Sequence, residues 1–147
     1  MQEYNWIEMM NHMQELRLFC SLTVKSSKKE GITSAQELDL LSRIALTSNP
    51  LTPQDLTRGM GLQKSAVSRL IRNLEQKRLL EKVHDTEDRR SYTLCITPAG
   101  TEELNQTYHY YLDPIYRLRR SAGEEKFRQF TELIREFNRI FNETEAK

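Results

Sequence analysis

Apolar positions recur along this chain with two different periods, and the change of period divides it. From about Gln2 to Lys25, Trp6, Met9, Met10, Met13, Leu16, Phe19 and Cys20 fall at steps of three and four, which predicts a helix with one apolar stripe. A polar run, 26–31, ends it. Ser34 followed by Glu37 has the form of a capping box, so a second helix begins there, with Leu38, Leu41, Ile44 and Ala45 as its buried face and Asn49-Pro50 as its stop. Thr52-Pro53-Gln54-Asp55 repeats the start signal, with Thr52 as cap and Pro53 at the first helical position, and opens a short third helix that ends near Gly59-Met60-Gly61. In the fourth segment, Gln63 to Lys77, Ala66, Val67, Leu70, Ile71 and Leu74 lie on one side and Lys64, Ser65, Ser68, Arg69, Arg72 and Gln76 on the other.

After Arg78 the period drops to that of strands. Residues 79–83 and 92–96 are short β-rich runs flanking the charged loop Asp85-Thr86-Glu87-Asp88-Arg89-Arg90, which is too charged to be buried and projects into solvent. Thr97-Pro98 opens a fifth helix carrying Leu104, Tyr108, Tyr111, Leu112, Ile115 and Leu118, with a kink expected at Asp113-Pro114. Ser121 and Glu124 suggest a further capping box before a sixth helix with Phe127, Phe130, Leu133, Ile134, Phe137, Ile140 and Phe141 on its apolar side. The fold class that follows is mostly α with a small β-hairpin wing (α+β). A winged helix-turn-helix head, 34–97, would sit between N- and C-terminal dimerisation helices, 1–25 and 98–147, in one domain.

Composition narrows this little. The 147 residues are 37% hydrophobic and 29% charged, with five Gly and four Pro, as expected of a folded, largely helical chain. No stretch approaches the roughly 18 apolar residues of a membrane span, and the start, with Glu3 and Glu8, resembles no signal peptide, so a cytoplasmic protein is expected. Cys20 and Cys95 form no disulfide framework or zinc spacing.

Charge changes the picture more. The net charge is only +1, yet between Lys64 and Arg78 the basic residues Lys64, Arg69, Arg72, Lys77 and Arg78 face Glu75 alone. Such a local stripe draws a polyanion to one face. A major groove admits one α-helix, so Ser65, Ser68, Arg69 and Arg72 are placed to meet base edges, with Gln63 and Lys64 near phosphates at the helix start. A narrow minor groove attracts an inserted guanidinium, which suits Arg89 or Arg90 on the projecting loop, oriented by Asp88 or Asp85 through a bidentate pair.

These residues resemble the MarR-type regulators of bacteria and archaea. The resemblance runs from about Ser34 to Gly100 and is carried by the segments 51–56 and 65–71, by Leu74-Glu75, and most specifically by Asp85-x-x-Asp88-Arg89-Arg90 followed by Ile96-Thr97-x-x-Gly100. It implies a homodimer on a palindromic operator of double-stranded DNA, with Arg89 and Arg90 matching the family's minor-groove position and the outer helices forming the dimer interface. It also implies a repressor released by a small, often aromatic or phenolic effector. Two residues depart from the family pattern: Gln63 stands where a Ser or Asp cap is usual, and Arg78 where a Gly follows the recognition helix.

Competing chemistry is thin. Cys20 fits a peroxide-sensing thiol, but a buried small hydrophobe is the better reading, and Cys95 is expected to pack in the wing strand. His109 and Asp113 are two potential ligands and not a metal site, and His12 and His84 belong to no set. No nucleophile, carboxylate pair or phosphate loop points to an enzyme or a cofactor. The rival from another class is a winged helix that binds protein rather than DNA.

Overall fold

A computed structural model of the chain describes residues 5–23 and 31–145. In order these form α1 (Trp6–Thr23), α2 (Ala35–Leu46), α3 (Pro53–Met60), α4 (Lys64–Gln76), β1 (Leu80–His84), β2 (Tyr92–Ile96), α5 (Pro98–Ala122) and α6 (Glu124–Glu145). Among the described residues the fold is mostly helical with one antiparallel hairpin, the winged-helix arrangement. The chain divides into two units, one of residues 26–111 and one of 1–25 with 112–147.

In the 26–111 unit the helix starts form as local chemistry dictates. The Ser34 hydroxyl accepts from the Glu37 N–H at 3.1 Å while the Glu37 carboxylate accepts from the Ser34 N–H at 2.7 Å, and Thr52 with Asp55 repeats the exchange. Gly61 closes α3 in the left-handed conformation, φ 62°, which glycine adopts without steric penalty. Thr97 caps α5 by accepting from the Gly100 N–H at 3.0 Å, while its hydroxyl donates to the Arg78 carbonyl at 2.8 Å.

The core of this unit joins Leu40, Leu41 and Ile44 of α2, Leu56 of α3, Val67, Leu70, Ile71 and Leu74 of α4, and Leu79, Leu80 and Leu94 of the hairpin. Leu40 belongs to the buried face of α2, whereas Ala45, expected there, is exposed. The helix packs against α3, α4 and the hairpin on more than one side, so its buried arc is wider than a single stripe and shifted toward Glu37 and Leu40. The hairpin pairs Leu80 with Ile96 through to His84 with Tyr92, one residue later on the first strand than the apolar run suggests. Leu51 adds a bridge: its carbonyl accepts from the Leu94 N–H at 3.0 Å, tying the wing to the residue just before α3.

In the other unit, α1 and α6 have no buried residue, and the rings of Phe19 and Phe130 meet at 5.1 Å. α5 runs through Pro114 as one helix and extends to Ala122, so Ser121 lies inside it and caps nothing. The junction is Gly123, at φ 85°. Its N–H donates to the Arg119 carbonyl and its own carbonyl accepts from the Phe127 N–H, both at 3.0 Å, while Glu124 turns back to a bidentate pair with Arg119.

Candidate nucleic-acid interface

Helix α4 presents two chemically opposite faces. Val67, Leu70, Ile71 and Leu74 are buried, with at most 3% of their surface exposed, while Gln63, Lys64, Ser65, Arg69 and Arg72 are exposed and Ser68 is half-buried. Burial of the first set fixes the rotation of the helix and therefore sends the second set outward. Gln63 occupies the N-cap position without a side-chain hydrogen bond, as its poor capping chemistry predicts; the Ala66 N–H turns to the Gln63 carbonyl at 3.0 Å, which leaves the Lys64 and Ser65 amides without a side-chain acceptor.

The other end of α4 is closed by backbone chemistry. The Leu79 N–H reaches the Leu74 carbonyl at 3.0 Å and the Arg78 N–H the Glu75 carbonyl at 2.9 Å, the two bonds of a Schellman motif, with Leu74 and Leu79 packed together in the core. Arg78 therefore holds the left-handed position, φ 60°, the one non-glycine residue to do so among the described residues. Lys77, counted by sequence in the basic stripe, is drawn inward instead. Its ammonium lies 2.7 Å from the Glu37 carboxylate and donates to the Ile32 carbonyl at 2.7 Å. A buried carboxylate needs a partner, and α2 brings Glu37 within reach of this lysine alone. Burial works to raise the Glu37 pKa, but the Lys77 hydrogen bond and charge, with the Ser34 N–H, carry it below the ordinary glutamate value.

On the wing, residues 85–91 join the two strands. Asp85 accepts from the Glu87 N–H at 2.8 Å, and Asp88 accepts from the Arg90 N–H at 3.0 Å and from the Ser91 hydroxyl at 3.4 Å. These carboxylates brace the loop backbone and do not orient a guanidinium, contrary to the pairing expected from sequence. The nearest unsatisfied donors are the loop's own amides, which an Asp two residues upstream reaches without strain. Arg89 and Arg90 are exposed, and among the described residues neither they nor Lys64, Arg69 and Arg72 has a carboxylate within 4.0 Å. Lys82 of β1 links wing to helix: its ammonium sits 3.0 Å from Glu75 of α4 and 4.9 Å from the centre of the Tyr92 ring. The structure thus brings six of the nine expected residues onto one end and face of α4 and three onto one loop.

Sequence reasoning missed Glu103. This α5 carboxylate is buried, and it accepts from the Ile32 N–H at 2.9 Å, the Thr33 N–H at 3.2 Å and the Thr33 hydroxyl at 2.7 Å. Seventy positions separate the partners, beyond any local pattern. Both cysteines are exposed, not packed. Cys95 falls between Leu94 and Ile96 on the outer face of β2, where strand alternation puts it. Asp113 pairs with Arg117 at 2.9 Å, and the His109 ring lies 3.9 Å from that of Tyr108.

The chain is similar to several known proteins. The MarR family model matches residues 30–91. The HTH-type transcriptional repressor MdtR of Bacillus subtilis (strain 168) is 34% identical over 77 residues, 52% of this chain; the match covers 48% of that relative, about half its length. A MarR/EmrR family transcriptional regulator from Acinetobacter sp. ADP1 is 25% identical with a TM-score of 0.76, over 95% of this chain and 99% of that one. A MarR mutant from E. coli, solved in complex with operator DNA, shares the fold at 18% identity and a TM-score of 0.70, over 93% of this chain and 99% of that one.

Proposed function

We propose that this chain is a MarR-family protein, a sequence-specific, non-enzymatic transcriptional regulator that binds operator DNA as a homodimer. The observation that carries the reading is the pairing of two outward-facing, uncompensated basic elements in one unit. On α4 these are Lys64, Arg69 and Arg72 beside Ser65 and Ser68; on the wing they are Arg89 and Arg90 on a loop stiffened by Asp85 and Asp88. Arginine and serine side chains on a helix can present donors to base edges in the major groove, Gln63 and Lys64 lie at the helix start where phosphate is favoured, and an extended loop carries its guanidinium toward a minor groove. Asp88 takes part through the backbone it braces.

Dimerisation is supported by the α1 and α6 surfaces. Trp6, Met9, Met13 and Leu16 on one, and Leu133, Phe137, Ile140 and Phe141 on the other, are between 40% and 72% exposed, a density of apolar side chains that calls for a second copy. On this reading residues 34–97 form the DNA-binding head and 1–25 with 98–147 the dimerisation helices. Two copies related by a two-fold axis match a palindromic operator.

Repression fits the described role of the B. subtilis relative, and release by a small aromatic or phenolic effector fits the family resemblance. A ligand need only favour the non-binding spacing of the two heads by a few kcal/mol to empty the operator. A cytoplasmic site of action belongs to the same reading; no helix among the described residues is long and apolar enough to cross a membrane.

The deciding experiment is a gel shift with fragments of the host genome at two salt concentrations, run beside a sizing column. The expected result is a dimer that shifts a subset of fragments and releases them as salt rises. A monomer, or a dimer that shifts none, sinks the reading in favour of a protein-binding winged helix.

A further inference from the structure

The imidazole of His84 closes a contact on the wing that neither the base-contacting helix nor the two arginines account for. His84 ends β1, pairs with Tyr92 across the hairpin and is exposed. Its Nδ1 lies 3.1 Å from the backbone carbonyl of Arg89, five residues on. A carbonyl only accepts, so Nδ1 carries hydrogen and donates in the neutral and the cationic ring alike. Nε2 is then the nitrogen that takes up a proton, and among the described residues no carboxylate lies within 4.0 Å of this side chain.

We propose that His84 is a proton-responsive DNA contact of the wing: the ring fastens the Arg89 backbone at all pH values and, once protonated at Nε2, adds a phosphate-facing charge. The inference rests on the DNA-binding reading above. It follows from placement, because the ring is tied to the very loop that carries Arg89 and Arg90. Protonation both strengthens that tie, by making the donor cationic, and adds positive charge beside the two guanidinium groups.

The surrounding charges leave room for this effect. From β2 the ring faces only Tyr92, centroids 5.8 Å apart. From the loop, the Asp85 and Asp88 carboxylates accept from backbone amides, and Glu87 and the two arginines complete its charges. Glu75 of α4 and Arg78 just after that helix line the same shallow depression, of about 470 Å³, together with Glu81 and Lys82 of the histidine's own strand. Glu75 and Lys82 neutralise each other at 3.0 Å and Arg78 and Glu81 are of opposite sign, while Asp85, Glu87 and Asp88 outnumber the two arginines by one, so a proton on the ring brings the wing tip to neutrality.

The sign follows from linkage. Phosphates favour the cationic ring, so binding takes up a proton, and affinity therefore rises as pH falls and is lost as pH rises. His84→Asn keeps an N–H near the Nδ1 position and so can still donate to the Arg89 carbonyl, but it cannot become charged. The test uses full-length protein and a duplex of about 30 base pairs selected from a random pool, at constant ionic strength. Between about pH 8 and about pH 6, wild type should gain about three- to tenfold in affinity, while H84N should gain little.

An equal gain in the two proteins overturns the His84 assignment and leaves DNA binding intact. Failure of wild type to select any duplex overturns the DNA-binding reading, and this inference with it. If H84N binds poorly at every pH, proton uptake by wild type decides, measured calorimetrically in buffers of different ionisation enthalpy and by the His84 ring resonance. A ring that titrates alike with and without the duplex overturns the proposal, and one that holds its proton longer in the complex supports it.

Discussion

The ammonium of Lys82, on the first wing strand, stands 3.0 Å from the carboxylate of Glu75, on the helix that carries the basic face, and leans over the ring of Tyr92 on the second strand. One side chain thus joins helix, strand and strand. Roughly a third of each partner is solvent-exposed, so the pair contributes under about 1 kcal/mol to stability. Its larger effect is on the relative placement of the two surfaces that the proposed function brings to adjacent grooves. Lys82→Met should change the unfolding temperature by only a few degrees while weakening binding to a selected duplex several-fold. Undiminished affinity would show that the shared core alone sets the spacing.

Among the described residues Arg89 and Arg90 have no carboxylate partner to lose, and they sit on an exposed loop, so replacing either with Ala should leave stability within about 0.5 kcal/mol of wild type. Duplex binding should weaken for all sequences, and the salt slope should fall by about 1 for each phosphate contact removed. Affinity and salt dependence unchanged in both variants would remove the wing from the interface. Replacing Arg69 or Arg72 should act differently. Loss of a bidentate base contact costs about 1–3 kcal/mol at the recognised base pair, so selection from a random pool should return a consensus relaxed at that position.

The Glu37 and Lys77 pair should be visible in the pH dependence of stability. The folded-state pKa of Glu37 lies below its unfolded value, so this contribution is fully present above the ordinary glutamate range and is lost as pH falls through the folded-state value. Thermal unfolding of Glu37→Gln should accordingly be less sensitive to acidification than that of wild type. Lys77→Met, which leaves the buried carboxylate without its cation, should cost about 1–3 kcal/mol near neutral pH, and part of that loss should vanish on acidification. Parallel pH profiles for wild type and both variants would argue against the pair.

Two backbone positions after the wing and helix give opposite expectations. At Gly100 an added Cβ would collide with the Leu79 carbonyl oxygen and press on Ile96, so Gly100→Ala should destabilise by about 2–3 kcal/mol. At Arg78 the left-handed backbone costs a side-chain-bearing residue about 1–2 kcal/mol, against about 0.5–1 kcal/mol of added freedom that glycine brings to the unfolded chain. Arg78→Gly should therefore stabilise by up to about 1 kcal/mol. Chemical denaturation of both variants checks the signs, and destabilisation by Arg78→Gly would mean that the guanidinium makes a contact worth more than the strain.

Much of this molecule was written in short-range chemistry. The caps at Ser34, Thr52 and Thr97 and the apolar arc of α4 all depend on residues within about one helical turn, so spacing alone exposes them, whereas Gln63 and Arg78 stood out only against the family pattern. Other features depend on which distant groups the fold makes neighbours. Lys77 left the basic stripe because α2 buries Glu37 forty positions away, and Glu103 found its partners some seventy positions upstream. Asp88 was legible as a wing residue but not as a brace, because the choice between an amide and a guanidinium is made by the loop's conformation.

The sequence by itself determined the order of elements, the outward set on α4 and the arginines of the wing, since periodicity and capping act through the covalent chain. Only the tertiary structure decided which cations remain unpaired and which carboxylates are buried. Charge pairing and desolvation act through space, between residues that nothing in the linear pattern marks as neighbours.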